Sequence, residues 1–229
     1  MPSLVGSEMC IRDRNKPLRH FSLADRLIQE FDRGLRVVTL QRRTISAPYP
    51  AQDMIEDDLS LQERVESARL MRVNHAGEIA AQGLYHGQAL TAQNQQTLRQ
   101  METSAQEELN HLAWCETRLS ELNAPRSLLS PFWYASSYVL GASAGWVGDR
   151  WSLGFVAETE AQVERHLDDH LGQLSVEDNR SRAILEQMRE DERRHGEEAR
   201  KLGAHELPKP IKKIMTLVSK GMTSGAYWI

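Results

Sequence analysis

The feature that most constrains this chain is a short motif of metal-ligand type that occurs twice. Glu108-Leu-Asn-His111 and Glu192-Arg-Arg-His195 both have the form Glu-x-x-His. On an α-helix, residues three positions apart lie one turn apart on the same face, so each pair offers a carboxylate oxygen and an imidazole nitrogen to one point. Such a pair arises easily by chance, and a helix rich in Glu and Arg is usually a solvated face, so one motif alone is weak evidence.

The two motifs stand in two similar halves of the chain. Glu78 precedes Glu108, and Glu160 precedes Glu192, by about 30 residues in each case. Each of these single glutamates falls on the predicted helix before a motif helix. Two single Glu residues plus two Glu-x-x-His motifs, all facing inward, form the ligand set of ferritin-like di-iron and di-manganese proteins. The sequence therefore predicts an all-α fold, a ferritin-like four-helix bundle.

Hydrophobic periodicity and helix breakers set the expected elements. Apart from an apolar crossover, the pattern predicts helices at about residues 22–40, 57–93, 97–122, 151–174, 176–202 and 211–225. Ser22 and Asp25 predict a capping box at the first of them. Alternating β-branched runs are essentially absent, so we expect no sheet.

The first residues are excluded from the prediction of the fold. The string Ser3–Asp13 resembles a translated sequencing-library adaptor, so residues 1–14 are interpreted as non-native or disordered. Residues 15–56 are predicted to form an N-terminal amphipathic segment and linker. Residues 57–229 are predicted to form the di-iron bundle domain.

Composition excludes several functional classes. The formal net charge is −4, so no basic field indicates nucleic acid as a partner. Two cysteines, Cys10 and Cys115, are too few for a disulfide framework, which favours a reducing cytosolic setting. Cys115 is expected to be a small core side chain rather than a ligand. The start of the chain lacks the layout of a cleavable signal peptide.

Two apolar segments favour contact with a membrane surface, with packing against protein as the alternative for both. The crossover, residues 127–155, carries half of the chain's aromatic residues and no charge from Ser127 to Gly148. A true membrane span there is less favoured, because Ser, Gly and Ala dilute its hydrophobicity. The C-terminal helix, residues 211–225, combines nearby lysines with an apolar stripe. The stripe consists of Ile211, Ile214, Met215, Val218 and Met222.

Several choices at the site stay open from spacing alone. Mixed carboxylate and imidazole ligation suits iron or manganese better than zinc. Glu158 and Glu164 compete with Glu160, and the spacing favours Glu160 only weakly. The far nitrogen of each imidazole needs an acceptor. The candidates for that acceptor are Asp191, Glu107 and Asp169. Four other histidines are expected to be polar-face or supporting residues: His75, His86, His166 and His170.

At residues 70–78, Leu-Met-Arg-Val-Asn-His-Ala-Gly-Glu, the chain resembles the demethoxyubiquinone hydroxylase family of ubiquinone biosynthesis. The match continues through Tyr85, residues 107–112, Glu160 with His166, and residues 191–195, and covers nearly everything from about His20 onward. The resemblance implies six iron ligands: Glu78, Glu108, His111, Glu160, Glu192 and His195.

The resemblance also assigns roles within this set. It implies that Glu108 and Glu192 bridge the two irons, and it favours Glu160 over Glu164. The four glutamates are expected to be the catalytic carboxylates. Some family members carry an aromatic residue where this chain has Leu167. Independently of the resemblance, the small residues Ala76 and Gly77 are expected either to leave space beside Glu78 for oxygen or substrate, or to allow close helix packing.

The activity that the resemblance implies is a monooxygenase reaction. One oxygen atom of O₂ enters the ring of a polyprenylated methoxy-benzoquinone or quinol, and the other leaves as water. The reaction would need two iron ions per chain, O₂, and NADH or another reductant. The implied partners are the polyprenyl quinone, a membrane surface and other ubiquinone-biosynthesis proteins.

The implied location is the cytoplasmic side of a bacterial cell membrane, as a peripheral protein. Four alternatives remain: a quinol oxidase, a rubrerythrin-like peroxidase, a ferritin-type ferroxidase, and a structural bundle whose motifs are fortuitous.

Overall fold

The structure is a computed structural model that describes residues 22–39, 47–55 and 58–229. The regular secondary structure of these residues is α-helical. The helices found there are α1 (Leu23–Val38), α2 (Leu61–Thr91), α3 (Gln95–Glu121), α4 (Ser130–Val147), α5 (Asp149–Gln173), α6 (Asn179–Lys201) and α7 (Lys209–Trp228). No strand occurs among the described residues, so the predicted all-α class is confirmed. The interpretation of residues 1–14, and part of the predicted 15–56 segment, lies outside the described residues.

Four of the helices form the ferritin-like bundle. Helix α2 packs against α3, α5 packs against α6, and α3 meets α6. The second of the chain's two compact units, Gly34–Ile229, contains all of them, together with α4 and α7. The first half of the chain thus contributes the pair α2 and α3 to the bundle, and the second half contributes the pair α5 and α6, as the repeated motif predicted.

Capping boxes define the first residues of helices α1 and α2. The Ser22 backbone N–H donates to Asp25 Oδ2 at 2.8 Å, and the Asp25 N–H donates to Ser22 Oγ at 3.2 Å, which confirms the predicted capping box. Helix α2 starts at Leu61 rather than near residue 57, because Ser60 and Glu63 form a second capping box. That signature was present in the sequence and was not used for the prediction.

The apolar crossover is itself mostly helical. It forms α4, an 18-residue helix, and α5 follows almost at once from Asp149. Gly148 joins the two helices at a φ of 137°, a backbone conformation that favours glycine. No helix within the described residues is both long and apolar enough to cross a membrane.

Helix α4 approaches α2 very closely through glycines on both helices. A Cβ atom added at Gly87 would overlap the Tyr138 carbonyl oxygen, and one added at Gly141 would overlap the Leu84 carbonyl oxygen. Backbone-to-backbone contact of this kind leaves no room for any side chain.

Gly87→Ala is therefore expected to destabilise the protein, by about 1–3 kcal/mol, since α4 must move away from α2. The matched control is Gly221→Ala in α7, where an added Cβ meets nothing within 4 Å. That change is expected to raise stability by up to about 1 kcal/mol, because alanine favours helix. Denaturant unfolding of both variants measures the difference, and equal shifts would contradict the close-contact account.

Cys115 is a core side chain, as predicted. It is fully buried in an apolar cluster that includes Leu119, Leu185 and Met188. Its thiol therefore contributes packing rather than ligation.

The C-terminal helix is longer than predicted and is fastened at both ends. It runs to Trp228, past the predicted end at Gly225. Near its start the Lys212 ammonium lies 3.1 Å from the Glu158 carboxylate. At its end the Tyr227 hydroxyl donates to Glu66 Oε2 at 2.6 Å. These contacts hold α7 along the bundle, against α2 and α5.

The predicted apolar stripe of α7 divides between two faces. Ile214 and Val218 are exposed, whereas Ile211, Met215 and Met222 are partly buried. Leu217 is also exposed beside them. The helix therefore packs one apolar edge on the protein and leaves another uncovered within the described residues.

Candidate metal centre

Six side chains, three from each half of the chain, meet inside the bundle. They are Glu78 on α2, Glu108 and His111 on α3, Glu160 on α5, and Glu192 and His195 on α6. None is more than 3% exposed. Ligand atoms of four of them lie within 4.8 Å of one another: Glu78, Glu108, His111 and Glu192. The structure thus brings together all six residues that the sequence analysis predicted as metal ligands.

Two carboxylates lie between the two imidazoles. Glu108 presents Oε2 to His111 Nδ1 at 2.7 Å and Oε1 to His195 Nδ1 at 3.0 Å. Glu192 presents Oε1 to His111 Nδ1 at 3.3 Å and Oε2 to His195 Nδ1 at 3.5 Å. Each of these carboxylates therefore offers one oxygen to each imidazole side of the site.

The other two carboxylates lie one on each side. Glu78 Oε2 lies 3.8 Å from His111 Nδ1. Glu160 lies close enough to Glu192 and His195 for their charges to shift its pKa, Glu192 upward and His195 downward. Each side of the site therefore holds one single glutamate and one histidine from the same half of the chain.

Glu164 does not share the position of Glu160. It is partly exposed and lies near the charge of Arg193, itself 46% exposed. Glu158 is paired with Lys212. The structure therefore places Glu160, and neither of its two competitors, in the cluster.

The carboxylates strongly perturb one another. Burial, together with the neighbouring carboxylates, raises the pKa of both Glu78 and Glu160 well above the usual range. Burial alone would also raise the pKa of Glu108, but His111 and His195 outweigh it and hold that pKa well below the usual range. No Lys or Arg in the described residues forms an ion pair with any of these carboxylates. The negative charge of these buried carboxylates therefore has to be balanced by positive charge within the site.

Several buried ligand atoms have no hydrogen-bond partner. They are both carboxylate oxygens of Glu108, Oε2 of Glu192, and Nδ1 of both His111 and His195. Buried polar atoms without partners are costly, and these five converge on one cluster. Four carboxylates and two imidazoles around a shared space fit a pair of iron or manganese ions, in donor type and in charge.

The far nitrogens of the two imidazoles find carboxylates across the bundle. His111 Nε2 lies 3.0 Å from Asp191 Oδ2, and His195 Nε2 lies 2.7 Å from Glu107 Oε2. Each acceptor directly precedes the central glutamate of the opposite half. The third candidate, Asp169, is exposed. A carboxylate at Nε2 fixes the imidazole tautomer that leaves the Nδ1 lone pair free for the centre.

Asp191→Asn is expected to weaken metal binding about 10–100-fold, because the His111 ring loses the charge that orients it. Metal titration of the purified protein measures this. The adjacent Glu190→Gln is the control, since Glu190 is exposed and forms an ion pair with the largely exposed Arg193. Equal affinities for Asp191→Asn and Glu190→Gln would contradict the orienting role.

A cleft reaches this cluster from the surface between α2, α5 and α7. Its empty volume, solvent-open space included, is about 490 Å³. Glu78, Glu160 and Glu192 line its inner end, and Met222 and Thr223 of α7 line its outer side. No residue of α4 lines it, so the crossover does not provide this route.

The prediction of free space beside Glu78 is confirmed at Gly77 and is wrong at Ala76. Gly77 lines the cleft, and an added Cβ there meets nothing within 4 Å. Ala76 is instead fully buried and packs with Val73 and Ala226. Leu167 is buried in the core and also lines the cleft.

One supporting contact was missed by sequence reasoning. The Tyr85 hydroxyl, fully buried on α2, donates to Glu160 Oε1 across the bundle. Tyr85 lies two turns after Glu78 on the same helix face, which was the available signal. Its effect is to hold the Glu160 carboxylate in place.

The chain matches one protein family and several known proteins over most of its length. The family model of the ubiquinone biosynthesis protein COQ7 matches residues 65–226. A 3-demethoxyubiquinol 3-hydroxylase of Nitrosococcus oceani is 54% identical over 211 residues, covering 92% of this chain and 99% of that protein. Proteins with the same name from Acinetobacter baumannii and Polynucleobacter asymbioticus are 50% and 51% identical, covering 93% and 91% of this chain and 100% of each relative. The chain therefore belongs to the ubiquinone biosynthesis protein COQ7 family.

Proposed function

We propose that this protein is a di-iron monooxygenase that hydroxylates the ring of a polyprenylated demethoxyubiquinol. The name shared by its relatives supports the reaction and the substrate class. The ligand set supports the metal pair. NADH or another reductant supplies the two electrons that reduce the second oxygen atom of O₂ to water.

One observation supports the metal pair above all others. Glu108 and Glu192 each turn one carboxylate oxygen toward His111 and the other toward His195. A carboxylate in that position suits a bridge between two ions. Glu78 with His111, and Glu160 with His195, would then each help to hold one ion.

Iron held by these residues would supply the activation of O₂. The protein's own part is to orient and to exclude water. Asp191 and Glu107 orient the two imidazoles, and Tyr85 orients Glu160. The cleft beside Gly77 would be the route of a flat ring to the carboxylates, and the surrounding core would keep bulk water away from them.

We also propose that the protein works as a peripheral protein on the cytoplasmic side of a membrane. The exposed Ile214, Leu217 and Val218 lie on the helix that lines the cleft, and α7 also carries Lys209, Lys213 and Lys220. An apolar edge with positive charge suits an anionic lipid surface. The prenyl tail would then enter the cleft beside α7.

The proposal is tested by metal content and product on one sample. The protein is loaded anaerobically with ferrous iron and mixed with a short-chain demethoxyubiquinol and NADH, and ¹⁸O₂ is admitted. We expect about two irons per chain and a ring product that carries one ¹⁸O atom.

Other outcomes separate the alternatives. Two irons with oxidation of the quinol but no labelled product would indicate a quinol oxidase. Consumption of peroxide without labelled product would indicate a peroxidase, and accumulation of ferric iron beyond two per chain a ferroxidase. Absence of stoichiometric metal would reduce the protein to a structural bundle and overturn the proposal.

A further inference from the structure

Asn74 is a buried amide at the wall of the cleft. It lies one helical turn before Glu78 on α2 and is only 3% exposed. Its Nδ2 has no hydrogen-bond partner in the described residues. A buried amide nitrogen without a partner is rare, and in a cleft it indicates a site for an acceptor that arrives with a ligand.

His170 fixes the direction of that amide. His170 Nδ1 lies 3.0 Å from Asn74 Oδ1, and both side chains are buried. Burial, with the nearby His166, lowers the pKa of His170 to about 3, so the imidazole is neutral. A neutral imidazole that donates from Nδ1 to Oδ1 leaves both hydrogens of Asn74 Nδ2 available.

His166 also lines the cleft, its ring centroid lies 3.8 Å from that of His170, and its buried Nε2 has no hydrogen-bond partner in the described residues. The other neighbours of Asn74 in the cleft wall are mainly apolar. Val73, Ala81, Val163 and Leu167 line the same cleft. A flat ring with apolar substituents and polar oxygens at its edge suits such a wall. Its substituents would contact the apolar side chains, and one ring oxygen would accept a hydrogen bond from the Asn74 amide. A ring oxygen accepts a hydrogen bond as a quinone carbonyl and also as a quinol hydroxyl.

We propose that Asn74 is a substrate-contacting residue, whose Nδ2 donates a hydrogen bond to one ring oxygen of the quinone or quinol and so sets the ring against Glu78 and the other carboxylates. His170 acts through Asn74 as a positioning residue. This inference rests on the proposed function, because it takes the quinone ring as the ligand of the cleft.

The test compares two probes that differ only in the ring oxygens. One is a short-chain methoxy-methyl-prenyl-1,4-benzoquinone, and the other is the matching methoxy-methyl-prenyl-benzene. Equilibrium binding of both is measured on the full-length wild type and on Asn74→Leu. We expect the substitution to weaken quinone binding about tenfold and to change arene binding less than about twofold.

Further variants guard against a folding artefact. Asn74→Ala removes the same donor with a smaller side chain and is expected to reproduce the selective loss. Gln173→Leu is the matched control, because it removes an exposed side-chain amide at the end of α5 that does not line the cleft. It is expected to leave binding of both probes unchanged. His170→Leu is expected to weaken quinone binding partially, because the amide is then free to rotate.

Two results would overturn the inference, and they are distinguishable. Wild-type protein that fails to bind the quinone would remove the proposed function and the inference with it. Wild-type protein that binds the quinone, while both Asn74 variants bind it unchanged or lose both probes equally, would remove the inference alone.

Discussion

Glu160→Gln is expected to reduce bound iron below two per chain and to abolish hydroxylation, whereas Glu164→Gln is expected to preserve both. The amide keeps the size of the side chain but removes the anionic charge. Glu160 lies in the buried cluster beside Glu192 and receives the Tyr85 hydroxyl. Loss of an outer residue that orients a ligand already costs about 10–100-fold in metal affinity, so loss of a ligand is expected to cost at least that.

Glu164 is a strict control because it lies one turn along the same helix and undergoes the same chemical change. It is partly exposed and lies near Arg193. Iron titration and product analysis on the two variants decide the matter. Retention of two irons and full activity in Glu160→Gln would remove Glu160 from the ligand set.

The repeated Glu-x-x-His motif predicted the bundle because its geometry depends only on residues within one helical turn. A Glu and a His three residues apart share a helix face whatever the rest of the chain does. Two helices of that kind, each preceded by a helix with a single buried Glu78 or Glu160, leave few ways to satisfy all ligands at once. The all-α class followed from that restriction and from the lack of alternating β-branched runs, whereas the choice of Glu160 over Glu164 came from the family resemblance.

Contacts between helices were beyond the same reasoning. Asp191, Glu107 and Asp169 were equivalent by spacing, and only the packing of α3 against α6 distinguishes them. The contact between Asn74 and His170 joins residues 96 positions apart and has no local signature. Long-range pairs of this kind depend on helix rotation and depth, which hydrophobic periodicity defines only coarsely.

The crossover shows a different limit. From Ser127 to Gly148 the segment has no charged residue, so its polar and apolar positions do not alternate clearly with a helical period. The structure resolves it as α4, because Gly83, Gly87, Gly141 and Gly145 allow two helices to touch through their backbones. That role of glycine depends on a partner surface that one segment does not reveal.

A second buried network lies apart from the candidate metal centre. Arg118 on α3 and Asp178, at the start of α6, are both fully buried. The Arg118 guanidinium donates to Asp178 Oδ1 at 2.9 Å, and its Nε donates to Ser181 Oγ at 2.8 Å. Asp178 also caps α6 by accepting the Ser181 backbone N–H at 3.0 Å, and the Ser67 hydroxyl of α2 donates to its other oxygen. One carboxylate thus joins three helices of the bundle.

Asp178→Ala is expected to lower the free energy of unfolding by about 2–4 kcal/mol, because it removes the buried one of the two carboxylates that pair with Arg118, leaving only the partly exposed Glu121, and removes the cap of α6. Asp168→Ala is the matched control. Asp168 also pairs with an arginine, Arg189, at 2.7 Å, but both side chains are largely exposed, so the expected cost is about 0–1 kcal/mol. Denaturant unfolding measures both. Similar losses would mean that burial does not govern the strength of these pairs, and a loss below about 1 kcal/mol in Asp178→Ala would mean that Glu121 alone compensates the Arg118 charge.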